Sequence, residues 1–278
     1  MPELPEVEMV VRHLRKLFTK RTIEKAQLHL PKLVNDVTPR QFAAALRGAR
    51  VTSVTRRGKY ILSHLDNERT LLTHLGMTGR FLYVGAKDVA PKHTHVTLWL
   101  DNGRRLLYED PRQFGMMGLS KTAELGAYKL LAQLAPEPFS EDFTLAYLTE
   151  TLLRSDQQIK LALLDQTKVL GLGNIYAAEA LHRARIHPQT PASRLTKTNL
   201  ATLYREIVAT LSEAIENDST MNTDPRDLGA SYTGGVYESM TKVYERAGLP
   251  CLTCGKLIER ITQGQRSTYF CARCQKLR

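Results

Sequence analysis

Apolar residues recur at helical spacing in Val7, Val10, Val11, Leu14, Leu17 and Phe18, behind a proline, Pro5, that suits a first helical turn. Glu6 and Glu8 complement the positive end of the helix this pattern predicts. Alternating or apolar runs follow at 22–30, 51–55, 60–65, 71–75, 80–84, 95–100 and 105–108, divided by Asn67, Gly79, Gly85 and Asp101-Asn102-Gly103. Period-two runs separated by turn residues predict an antiparallel sheet domain, a two-layer sandwich or barrel-like fold carrying the first helix.

From Ser140 the period lengthens. Helical patterns occupy 142–153, 159–166, 175–184 and 198–215, punctuated by Gly171, Gly173, Pro188 and Pro191. A helical domain is expected there, with Ala135-Pro136-Glu137-Pro138 as the linker, because prolines resist continuation of either element. The stretch 217–237, rich in Asn, Asp, Ser, Thr and Gly, reads as a mobile loop or an inert connection.

The chain has 278 residues and is 42% hydrophobic, enough to fold without disulfides as two domains and a small module. All four cysteines fall in that module, as Cys251-Leu252-Thr253-Cys254 and Cys271-Ala272-Arg273-Cys274. Two such pairs on facing hairpins can close a tetrahedral zinc site and fix a segment too small for its own core. Two disulfides or a redox pair are the alternatives, and they fit an intracellular chain poorly. Neither a membrane-spanning apolar run nor a signal-peptide pattern is present, so a cytoplasmic protein with no membrane partner is expected.

Charge narrows the partner. With 39 basic and 28 acidic residues the net charge is +11, which favours a polyanion, nucleic acid first, over a neutral metabolite. Part of the excess is clustered in Arg47, Arg50, Arg56, Arg57 and Lys59, which could equally be a solvated face.

Candidate chemistry begins at the amino terminus. Loss of Met1 would expose the secondary amine of Pro2 beside the carboxylate of Glu3. A terminal amine, with a reference pKa of roughly 8 against about 10.4 for lysine, is far more often neutral and can form a Schiff base. A frayed tail is the plain alternative, but the packed helix expected behind Pro2 tethers it. Asp110-Pro111-Arg112-Gln113-Phe114-Gly115 places a guanidinium and an aromatic ring on one turn, and His74-Leu75-Gly76-Met77-Thr78-Gly79 offers Met77 on another. Such tips could fill the gap left by an extruded base, or could be ordinary hairpin and core residues. Gly171-Leu172-Gly173-Asn174 before a helix is either a phosphate site or a simple cap. Around the cysteines, Lys256, Arg260, Arg266, Arg273, Lys276 and Arg278 form a basic ribbon on what could also be only a structural clip.

In this order the motifs resemble those of the bacterial formamidopyrimidine-DNA glycosylases, repair enzymes that remove oxidised purines such as 8-oxoguanine and formamidopyrimidines. The resemblance spans nearly the whole chain and rests on Pro2 to Glu8, Arg57-Gly58-Lys59-Tyr60, the runs 74–79 and 110–115, Leu164-Asp165-Gln166 with 171–177, and the cysteine pairs. It implies an α+β multidomain fold. An amino-terminal β-sandwich with helices would cover 1–134, a helix-two-turns-helix domain 135–240 and a zinc-finger β-hairpin 241–278, with DNA in the cleft between domains.

It also implies roles. Pro2 resembles the nucleophile, Glu3 the acid that protonates the opening sugar, Lys59 the lysine assisting base release and β-elimination, and Arg266 the finger arginine of δ-elimination. Met77, Arg112 and Phe114 are similar to the triad that fills the duplex gap, and His74, His93 and Asn174 to backbone contacts. One structural zinc on Cys251, Cys254, Cys271 and Cys274, a monomer acting on double-stranded damaged DNA, and use at the bacterial nucleoid follow from the same likeness.

Departures from the family pattern are Gln113 in place of a second arginine, Ala135 in place of a glycine, and no lysine cluster in 153–158. A sister enzyme for oxidised pyrimidines typically has glycine at position 4 and lacks the wedge; Leu4, Met77, Arg112 and Phe114 favour the purine branch. A noncatalytic damage-binding protein is the alternative from another class, disfavoured by intact Pro2, Glu3 and Lys59.

Overall fold

The computed structural model describes residues 2–34, 36–224 and 227–277, with the backbone alone for 223–224 and 227–233. The chain divides into two compact units, Met1–Ala132 with Asp218–Val236, and Gln133–Asn217 with Tyr237–Arg278.

The first unit opens with α1 (Leu4–Leu17), which buries Leu4, Val7, Val10, Val11 and Leu14 along one stripe. Burying each such side chain contributes roughly 1.5–3 kcal/mol, so the helix is held chiefly by packing. Two antiparallel sheets follow. Strands β1 (Ile23–Leu28), β5 (Arg80–Gly85), β6 (Thr94–Leu100) and β7 (Arg104–Glu109) run in the order β1-β6-β7-β5, extended by β10 (Asp227–Gly234) and β9 (Met221–Asp224). Strands β2 (Val51–Arg57), β3 (Tyr60–Leu65), β4 (Arg69–His74) and β8 (Met116–Lys121) form the other in sequence order. Phe18, Phe42, Ile61 and Tyr108 are among the largest fully buried side chains.

Seven strands and the helix lie where the hydrophobic pattern places them. Other elements were not legible in that pattern. Helix α2 (Pro39–Leu46) is short, and its signal lies in its cap, where the Gln41 amide donates to Thr38 Oγ1 at 3.2 Å and Pro39 starts the first turn. Strand β8 is interrupted by Gly118, whose Cβ would lie 2.0 Å from the Tyr128 hydroxyl, so packing rather than propensity chose glycine there.

Residues 218–236 differ from expectation. The sequence reading makes 217–237 a loop in the helical domain; instead β10 pairs with β5, matching Asp227 to Leu82 and Leu228 to Phe81, and the segment clusters with the first unit. Its polar composition hid strands that are completed by an edge from elsewhere in the chain.

The second unit contains α3 (Leu145–Leu153), α4 (Ile159–Leu164), α5 (Asn174–Arg183) and α6 (Lys197–Glu216), close to the four expected helices. Thr144 and Thr196 cap α3 and α6 by accepting the amides of Tyr147 and Asn199. The hairpin of β11 (Glu259–Gln263) and β12 (Arg266–Phe270) packs β12 on α5. Its turn, Gly264-Gln265, has φ of 51° and 63°, the left-handed pair that a tight two-residue hairpin requires. Among the described residues no helix is long and apolar enough to cross a membrane.

Candidate nucleic-acid interface and zinc centre

Pro2 and Glu3 are buried ahead of α1, Glu3 being 2% exposed, so the first residues are packed rather than frayed. Glu6 secures them. Its Oε2 accepts the Glu3 amide at 2.9 Å, while Oε1 accepts the amide and hydroxyl of Thr220 at 3.3 and 3.0 Å. One buried carboxylate therefore ties the amino terminus to the segment that precedes β9. Sequence reading gave Glu6 only a helix-end role, because its distant partner is invisible to a local pattern.

Lys59 sits on the two-residue turn between β2 and β3, where Gly58 has φ of 56° and Arg57 pairs with Tyr60. Its side chain is 6% exposed. The turn is fastened toward α1 by Arg56, which donates to Glu8 Oε2 at 3.2 Å and to the Gly58 carbonyl at 3.1 Å. Tyr60 pairs in register with His74, and their rings lie 4.9 Å apart. Burial, then the nearby Lys59 charge, holds the His74 imidazolium down to about 4. His74 is thus neutral at pH 7, and since Nδ1 accepts the Gly76 amide at 3.1 Å, Nε2 carries its N–H.

His74 ends β4 and leads into the loop carrying Met77, which is 37% exposed. Arg112 and Phe114 occupy a second exposed loop, the ring 55% exposed and the guanidinium 4.9 Å from its centre. The core reading of Met77 and Phe114 is therefore excluded by their exposure. His93 belongs to the same region, its carbonyl accepting the Asp110 amide at 3.1 Å. Pro2, Glu3, Lys59, His74, Met77, His93, Arg112 and Phe114 all lie in the first unit.

Asn174 and Arg266 belong to the second. Asn174 is the first residue of α5, behind Gly173 at the N-cap, and its side chain does not cap the helix. Its Oδ1 instead accepts from Lys160 Nζ at 2.6 Å, so a hydrogen bond donated by the side chain comes from Nδ2. Lys160 has no exposed surface and donates as well to the Ser267 carbonyl at 2.8 Å and Thr268 Oγ1 at 2.6 Å, linking α4, α5 and β12. The turn before α5 is braced by Gln166, which accepts the Gly171 amide and donates to the Leu164 and Leu172 carbonyls. Arg266 starts β12 beside the tight turn and is exposed. Lys160 escaped the sequence reading, although a lone cation within the apolar run Ile159, Leu161, Ala162 and Leu163 was a usable signal.

The Sγ atoms of Cys251, Cys254, Cys271 and Cys274 all lie within 4.8 Å of one another. Cys254 and Cys271 are 3.4 Å apart and Cys251 and Cys274 4.0 Å, beyond the roughly 2.05 Å of a disulfide. Four thiolates at a Zn–S length of about 2.3 Å would stand about 3.8 Å apart, so the set fits one tetrahedral zinc. Beside it His182 is buried, with Nε2 3.6 Å from Cys251 Sγ. Glu179, fully buried, accepts the amides of Lys242, Val243 and Tyr244 at 2.8–2.9 Å, and Gln275 joins the Cys271 amide to the Ile186 carbonyl. The cysteine pairs were read from sequence; these buried polar anchors were not.

Comparison with known proteins accounts for the same three regions. The profile of the formamidopyrimidine-DNA glycosylase N-terminal domain matches residues 1–117, that of the H2TH domain 134–225, and that of the zinc finger found in FPG and IleRS 248–277. The formamidopyrimidine-DNA glycosylase of Bacillus subtilis is 41% identical over 99% of both chains. That of Chloroflexus aurantiacus is 45% identical over 99% of this chain and 98% of its own. The Lactococcus lactis Fpg (MutM) structure in complex with N7-benzyl-Fapy-dG DNA superposes with a TM-score of 0.92 at 33% identity, covering 99% of this chain and 100% of that one. A MutM structure in complex with carbocyclic 8-oxo-G DNA gives 0.92 at 34% identity, with the same coverage. Full-length likeness in sequence and fold together places this chain in the formamidopyrimidine-DNA glycosylase family.

Proposed function

We propose that this protein excises oxidised purines, 8-oxoguanine and formamidopyrimidines among them, from duplex DNA and then cleaves the strand at the resulting abasic site. The observation that supports this reading most is the fixed amino terminus. Pro2 and Glu3 are buried on a packed helix, and Glu6 holds the Glu3 backbone. A terminal nitrogen that was merely frayed would have no defined line of attack.

Once the initiator methionine is removed, the Pro2 nitrogen attacks C1′ as the base departs and takes up a proton. Glu3 protonates the sugar ring oxygen, the ring opens, and the nitrogen lone pair completes an iminium ion. That cation is an electron sink. Loss of a proton from C2′ sends electrons toward it and expels the 3′ phosphate, and a second elimination expels the 5′ phosphate. Lys59 serves proton transfer during base release and the first elimination, and Arg266 assists the second. His74, His93 and Asn174 hold backbone phosphates, while Met77, Arg112 and Phe114 fill the space left by the everted nucleotide. The excess of positive charge supplies the salt-dependent share of binding.

Borohydride added during incubation with an 8-oxoguanine:cytosine duplex tests the chemistry. Protein with a free Pro2 is expected to form a covalent adduct that peptide mass spectrometry places on Pro2. An adduct on another residue would overturn the nucleophile, and preferred excision of thymine glycol would overturn the purine assignment.

A further inference from the structure

The three side chains proposed to enter the duplex stand on two separate loops, 75–79 and 110–115. Exposed loops ordinarily move independently of each other. These two are built so that they do not.

Their backbones touch at Gly76. It has φ of 62°, and a Cβ there would lie 2.5 Å from the Phe114 carbonyl carbon and 2.6 Å from the Gly115 nitrogen. Beneath that contact lies Asp110, which has no exposed surface. Its Oδ1 accepts the Thr78 hydroxyl at 2.5 Å and its Oδ2 accepts the Gly115 amide at 2.7 Å. Thr78 Oγ1 accepts in turn from the Arg112 amide at 3.3 Å. A single hydroxyl on the Met77 loop is therefore donor to the acid, and acceptor from the backbone, of the loop bearing Arg112 and Phe114. The Asp110 backbone is anchored as well, its amide on the His93 carbonyl and its carbonyl accepting from His95 Nε2 at 2.8 Å.

Two further glycines close the base from below. A Cβ at Gly79 or Gly115 would lie 2.2 or 1.7 Å from the Tyr108 hydroxyl. The result is a rigid polar foundation under exposed tips.

We infer that Thr78 is a positioning residue whose hydroxyl locks Met77, Arg112 and Phe114 into one preformed wedge. The inference rests on the reading of those three residues as the wedge. Its physical content is preorganisation: the entropy of ordering two loops is lost on folding, not again when a base pair is opened. Opening a duplex then becomes the step that depends on Thr78, whereas chemistry on an already accessible sugar does not.

The test compares Thr78→Val with Thr78→Ser in single-turnover excision from an 8-oxoguanine:cytosine duplex and in cleavage of a single-stranded abasic oligonucleotide. Thr78→Val is expected to slow duplex excision about tenfold or more, on the scale of an unmet buried acceptor, and to delay the brightening of 2-aminopurine placed beside the lesion. Single-strand cleavage should stay within about twofold of the parent, and Thr78→Ser should restore duplex excision. Thr78→Ala, whose smaller side chain admits water to Asp110, repeats the measurement should the valine variant unfold. Equal slowing on duplex and single strand would overturn the positioning role. Met77→Ala and Phe114→Ala separate the two levels: if they slow duplex excision and Thr78→Val does not, the lock is wrong and the wedge stands. If neither slows it, the wedge itself is wrong and the lock falls with it.

Discussion

In the first unit two antiparallel sheets with a large apolar core carry the loops of Met77, Arg112 and Phe114, and steric fit acts there beside the Thr78–Asp110 hydrogen bond. The Gly76 loop touches the Phe114 backbone, and Gly79 and Gly115 leave room only for Tyr108. In the second unit the zinc hairpin has a small core of Ala178, Val243, Cys251, Ile258 and Cys271, and buried polar groups place it. Lys160, Glu179 and Gln275 each reach across to a backbone or side chain of another segment. The difference teaches that the device follows the available apolar area. A broad sheet can add exclusion to its buried hydrogen bonds, whereas a two-stranded hairpin depends on directional bonds and a metal.

Removing zinc should give the largest contrast. Structural zinc in small fingers supplies about 10–16 kcal/mol of binding free energy, and the hairpin has little else. Chelation is expected to abolish hydrogen-exchange protection in 259–270 while amides of β6 and β7 keep theirs. Collapse of both would mean that the first unit is not independently stable, and the contrast would fail.

A smaller effect is expected at Glu179. Glu179→Ala leaves three inward amides of 242–244 without their acceptor, at a cost of about 3 kcal/mol or more. Urea denaturation followed by hydrogen exchange should place that loss in the second unit, with Glu179→Gln losing less. A change below about 0.5 kcal/mol would remove buried charge from the account of how the hairpin is held.

His74 gives the smallest effect and probes the first unit. Its folded value is about 4 and its ordinary value 6.5, so between them the unfolded chain binds the extra proton. Stability is therefore intact above pH 6.5 and falls as pH drops toward 4, by at most about 3 kcal/mol in total. His74→Gln should flatten that part of the urea-midpoint profile relative to the parent. Identical profiles would show that the His74 ring is not held neutral by its surroundings.

The sequence by itself determined whatever a short window can encode. Period 3.6 in Val7 to Phe18 encodes α1, period two encodes seven strands, and the paired cysteines encode a ligand set. The turn residues Asn67, Gly85 and Asp101-Asn102-Gly103 were likewise local signals. The tertiary structure alone decided which distant group meets which: Thr220 reaches Glu6 across 214 positions and Lys160 reaches Thr268 across 108. It also made strands of the polar stretches 221–224 and 227–234, β10 pairing with β5 on one side and with β9 on the other. Thr78 and Asp110 look like ordinary loop residues until the backbone brings them within a hydrogen bond. The physical reason is that propensity and amphipathic pattern are properties of neighbours along the chain, whereas the partner of a buried polar group is chosen only when the core closes around it.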